Sequence, residues 1–152
     1  MNQIASLLPL SNIALDLDAG TKARLFEEMG ILFERTVGIS RATVAASLAA
    51  REKLGSTGLG LGIAIPHGRI KGLTTAIGAF VRLLTPIAFD APDGKPVGQV
   101  FVLLVPEHAT EEHLQLLSEL AQMCSEKSFR ERLASATDAA ELVALFRAWE
   151  AA

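Results

Sequence analysis

Apolar positions recur with helical period in the first quarter of the chain: Leu25, Met29, Leu32 and Phe33 fall at i, i+4, i+7 and i+8. That stripe predicts a core-facing helix from about residue 19 to 37, with Asp18 as its cap. Ser40 is placed to cap a second helix reaching about Lys53, with Gly55 just beyond as a stop signal. Val44 and Leu48 mark its apolar face, and Arg51 continues that face into the last turn, where the helix dipole favours a cation. The period then changes. Thr75–Leu84 reads as a strand, and the continuous apolar run Val100–Val105 as a strand buried on both faces. Pro92-Asp93-Gly94 lies between them as a turn, and so short a link implies antiparallel strands. Helical spacing returns in His113, Leu116, Leu117, Leu120 and Cys124, predicting a helix capped by Thr110 and running to about Met123. Shorter helices follow near Phe129–Ala134 and Asp138–Trp149, the last with Leu142, Leu145, Phe146 and Trp149 on one face. The pattern is that of one α/β domain, a mixed sheet flanked by helices.

Composition narrows what such a domain does. Its 152 residues are 50% hydrophobic and 20% charged, as in a folded globule. A net charge of −3 argues against nucleic acid as a partner, which calls for a basic surface. No apolar run reaches the roughly 18 residues of a membrane span, and no export signal opens the chain, so a cytoplasmic location without membrane insertion is expected. The single cysteine, Cys124, excludes an internal disulfide and reads as a small buried apolar residue in a leucine stripe.

Chemistry concentrates between Arg51 and Arg69. Gly58, Gly60 and Gly62 form a G-x-G-x-G run, but it follows a helix and has Ile63 where a dinucleotide fingerprint needs its last glycine. It reads either as a flexible turn or as a backbone path offering N–H groups to an anion. His67 stands between Pro66 and Gly68. Proline stiffens the approach to it, and glycine lets another backbone or a phosphoryl group come close. A reactive histidine fits that setting. The chain's other two histidines are His108, beside a proline-containing loop and read as a surface residue, and His113, in the first turn of its helix. His113 is open to two readings, a hydrogen-bonded core histidine or a partner of His67 donating to a phosphoryl oxygen. Arg51 either lays its stem on the core with its head in water or clamps an anion with its planar fork. Arg69 is expected to be exposed and to face a partner. The three histidines are too scattered for a metal site to be expected, and no cofactor is called for.

Taken together, Arg51-Glu52, Gly55-Ser56-Thr57-Gly58, Gly62-Ile63-Ala64-Ile65-Pro66-His67-Gly68, Phe89-Asp90-Ala91-Pro92-Asp93-Gly94, Val105-Pro106 and His113-Leu114 resemble the IIA domains of the bacterial phosphoenolpyruvate-dependent phosphotransferase system. The resemblance is to the fructose/mannitol branch, in particular to its stand-alone nitrogen-regulatory IIA proteins, and covers nearly all of residues 1–152 as one type-2 IIA domain. It implies a mixed central sheet of about five strands with helices on both sides. It also implies that His67 accepts a phosphoryl group on Nε2 from an HPr-like phosphocarrier (NPr), with His113 and Arg51 steadying the transferred group. Ser56 or Thr57 and the N–H groups of their loop, Gly58 included, are further candidate donors, and Gly68 and Arg69 adjoin the site. The implied role is regulatory, exerted on targets such as potassium-transport or sensor-kinase systems. The alternatives are a sugar IIA that passes phosphate to a IIB domain, and a binding module whose histidine no longer reacts.

Overall fold

The computed structural model describes residues 2–109 and 111–150, Glu112 by its backbone alone. A short helix α1 (Gln3–Ser6) and a 3-10 turn (Leu10–Asn12) lead into strand β1 (Ile13–Leu17). Helices α2 (Lys22–Val37) and α3 (Arg41–Glu52) follow, then three short strands, β2 (Gly58–Gly60), β3 (Ile63–Ala64) and β4 (His67–Ile70). Two long strands, β5 (Ile77–Ile87) and β6 (Val97–Pro106), precede helices α4 (Glu111–Ser125), α5 (Lys127–Ser135) and α6 (Ala139–Ala148).

The sheet is mixed and has six strands, one more than the resemblance implies. Its order is β1-β5-β6-β3-β2, with β4 also pairing β6. The β5–β6 hairpin is antiparallel, as the short turn requires, whereas β1 runs parallel to β5, and β3 and β4 run parallel to β6. Strand alternation splits the core into two layers. Ala79, Val81, Val100, Val102 and Leu104 face α2 and α3, meeting Leu25, Phe26, Met29, Phe33, Val44 and Leu48. Phe80, Phe101, Leu103 and Val105 face the other way and pack with Leu116, Leu120, Met123, Phe129, Leu133, Leu142, Phe146 and Trp149 of α4 to α6. The central parts of both long strands are therefore covered on both faces, which explains why Val100–Val105 of β6 reads as an unbroken apolar run.

Some boundaries move. Helix α2 begins three residues later than expected because Thr21, not Asp18, caps it, its Oγ1 accepting the Arg24 N–H at 3.1 Å. The second helix does follow Ser40, whose side chain makes no capping bond. Asp138 caps α6 through the Glu141 N–H. The expected cap at Thr110 lies outside the described residues.

Candidate functional site

His67 opens β4 at the level where that strand first pairs with β6, opposite Leu103. The C-terminal turn of α3 lies against β4, and the approach is close. A side chain at Gly68 would collide with Ser47, whose hydroxyl donates to Arg69 O at 3.0 Å. The space glycine leaves is thus filled by α3 itself rather than held open for an anion. That interlock brings Arg51, near the end of α3, to the ring of His67.

The imidazole is half-buried, with its two nitrogens in different company. Nδ1 lies 3.0 Å from Ile65 O, and because a carbonyl only accepts, Nδ1 carries the proton. Nε2 then has its lone pair outward and receives the Arg51 Nε–H at 3.2 Å. Arg51 is tethered a second time by Nη1, which donates to Gly55 O at 2.8 Å. Burial pushes the pKa of His67 below the ordinary histidine value; the Ile65 carbonyl opposes this, while the guanidinium of Arg51 adds to it. The ring is therefore neutral at physiological pH, in one tautomer.

His113, in the first turn of α4, stands edge-on to His67, with ring centroids 5.1 Å apart at 68°. It is 7% exposed, and its Nε2 is buried without a hydrogen-bond partner among the described residues. Burial again lowers its pKa, and His67, Arg69 and Arg51 add to the effect. A satisfied core histidine would have that nitrogen bonded. His67, His113, Arg51, Gly68 and Arg69 line one cleft of about 410 Å³, in the range of small-ligand sites. A second cleft, of about 320 Å³, opens on the other side of His67 and Arg51, between Ser56-Thr57-Gly58 and Leu117 of α4.

Other residues singled out from the sequence sit differently than expected. The Ser56 hydroxyl donates to Phe89 O at 2.7 Å and accepts the Gly58 N–H at 3.0 Å. Thr57 is buried, and both its N–H and its hydroxyl donate to the Glu52 carboxylate. These loop donors line the site but are committed to holding its walls, which leaves Arg51 and His113 against the ring of His67. Gly58, Gly60 and Gly62 belong to a β2–β3 hairpin rather than to a curled anion loop. Arg69 is exposed as expected, with its guanidinium tying β4 to Glu107 O and Ala109 O ahead of α4. His108 is 92% exposed. Cys124 is buried and its thiol is pushed up to about 12. No group of three metal-ligating side chains occurs among the described residues, and no described helix is long and apolar enough to cross a membrane.

One residue that entered the sequence reading only as part of a motif, with no role given to it, organises the site. The Glu52 side chain, 8% exposed, accepts from Thr57 and pairs with Lys22 at 2.9 Å. Lys22 in turn reaches Asp90 at 3.1 Å and lies over the ring of Phe89. The carboxylate thereby joins α3, α2, the glycine-rich loop and the β5–β6 connection. The signal was a carboxylate next to Arg51 and five residues before Thr57.

Residues 6–149 match the family described as the phosphoenolpyruvate-dependent sugar phosphotransferase system, EIIA 2. The nitrogen regulatory protein of Pseudomonas aeruginosa is 44% identical over 143 residues, 93% of each chain. The crystal structure of nitrogen regulatory protein IIA-Ntr from Neisseria meningitidis superposes with a TM-score of 0.90 at 56% identity, over 95% of this chain and 99% of that one. Enzyme IIA mannitol in its complex with phosphorylated enzyme IIB mannitol, from Escherichia coli, gives 0.78 at 25% identity, over 94% and 100%. The chain belongs to the EIIA 2 family of the phosphoenolpyruvate-dependent sugar phosphotransferase system.

Proposed function

We propose that this protein is a regulatory phosphocarrier of the nitrogen-regulatory IIA type, with His67 as the residue that takes the phosphoryl group. The observation that carries the reading is the His67 tautomer: Nδ1–H is held by Ile65 O, and the Nε2 lone pair faces a guanidinium beside a second imidazole whose Nε2 has no partner among the described residues. The donor is an HPr-like phosphohistidine protein. As the donor's P–N bond breaks, a new bond forms from phosphorus to Nε2, and the donor ring departs neutral. Nδ1 keeps its proton, so the ring gains positive charge, which the Ile65 carbonyl stabilises. Arg51 gives up Nε2 and turns to the phosphoryl oxygens, still anchored through Nη1. His113 donates to the same group. These fixed donors meet charge where it develops, and docking excludes water and aligns the three reacting atoms. The donor arrives activated, and the chain's own residues supply the rest. Targets of the kind implied by the resemblance, potassium-transport or sensor-kinase systems, would read the phosphorylation state.

A second reading, a IIA that hands phosphate to a IIB domain, is favoured by the likeness to enzyme IIA mannitol bound to its phosphorylated IIB. Incubation with phosphoenolpyruvate and the general components of the system, followed by mass spectrometry, tests the shared step. The native chain gains one phosphate, and His67→Ala gains none while keeping its circular dichroism; a labelled His67→Ala refutes the assignment. Onward transfer to a IIB domain selects the second reading, and its absence the first.

A further inference from the structure

The tip of the β2–β3 hairpin breaks the usual chemistry of such turns. Gly60 pairs with Ile63, so Leu61 and Gly62 form a two-residue loop with φ of 61° and 79°. Positive φ at both positions calls for Asn-Gly, Asp-Gly or Gly-Gly, and a leucine at the first is strained by its own Cβ. Asp93 holds the strained turn: its carboxylate accepts the Leu61 N–H at 2.9 Å and the Lys95 N–H at 3.0 Å. Nothing in the core explains the leucine, since its side chain is 58% exposed. It does line a cleft against α4 together with Leu59 and Ala121, and those two residues also line the cleft at His67. An apolar groove therefore runs from the acceptor ring to the hairpin tip.

From this placement we infer that Leu61 is a specificity-determining anchor for the phosphoryl-donating protein, seated in an apolar patch beside the donor's phosphohistidine. The inference rests on the reading of His67 as acceptor. Continuity of the groove with His67 identifies the occupant. A protein that covers this ring to exclude water also covers the groove, and backbone strain kept at an exposed apolar side chain marks a functional position.

The test is phosphoryl transfer from a phosphorylated HPr-like donor to the native protein and to Leu61→Asn, Leu61→Gly and Leu61→Met. The first two substitutions suit the turn, so the melting temperature holds or rises. Their KM for the donor rises about tenfold with kcat at saturation unchanged, while Leu61→Met keeps most of the affinity. An unchanged KM in both Asn and Gly variants overturns the inference. So does sedimentation showing a native dimer that these variants dissociate without a change in KM, since Leu61 would then sit between copies of this chain. Native protein that takes no phosphoryl group sinks the acceptor reading and this one with it; labelled native protein with variant KM unchanged sinks this one alone.

Discussion

At the scale of single residues, the neutral state of two imidazoles decides what the site can do. Both are held below the ordinary histidine pKa of 6.5, chiefly by burial. Above that pH the folded and unfolded chains both carry them neutral, and they add no pH dependence. As pH falls below 6.5 the unfolded chain takes up protons first, so stability is lost until the folded rings also titrate. NMR titration should therefore place the His67 midpoint below 6.5, with unfolding free energy falling over the same acidic range; a midpoint above 6.5 would contradict the burial argument. That His67, His113 and Arg51 belong together as candidates was legible in the sequence, because the first is framed by proline and glycine and the others fall at the ends of periodic helices, although His113 and Arg51 were each left with two readings. The pairing of Arg51 Nε with His67 Nε2 was not, since it depends on how closely α3 packs beside Gly68. Nor was the commitment of Ser56 and Thr57 to other partners, which is decided by residues up to 33 positions away.

At the scale of elements, long amphipathic helices and apolar strands announced themselves by period: α2, α4 and α6 and the β5–β6 hairpin were readable. Strands β2, β3 and β4 were not. They are two to four residues long, and β2 and β4 carry glycine, so alternation has too few side chains to register. Asp18 and Thr21 are both cap formers, and the sequence does not choose between them; the folded chain uses Thr21. The element-level claim with most consequence concerns the end of α3, which is fastened by Glu52 to Thr57 and Lys22. Glu52→Ala strips a buried charged acceptor from two donors of Thr57. It should cost about 2–3 kcal/mol in urea unfolding and also slow phosphoryl acceptance by letting the Arg51 turn drift. Loss of stability with an unchanged transfer rate would separate this network from the site.

On the scale of the whole molecule, the two core layers have different duties. The layer under α2 and α3 aims Arg51, while the layer under α4 to α6 carries His113 and centres on Phe146. That ring lies 5.3–5.6 Å from Phe80, Phe101 and Phe129 and is 1% exposed. Phe146→Ala should cost about 3–5 kcal/mol by calorimetry or denaturant, with residual folded protein still accepting phosphate at His67. A cost under about 1 kcal/mol would mean that the cluster can collapse into the gap.

The double tether of Arg51 bears on how the two forms of this protein can be told apart. On the proposed mechanism one bond, to Gly55 O, survives as the guanidinium swings from nitrogen to phosphoryl oxygen, so the rearrangement needs only a rotation about a fixed foothold. Nothing in that rotation requires the strands and helices around it to move. A listener that distinguishes the loaded from the empty carrier must then feel a new anion at arm's length, because the silhouette barely alters.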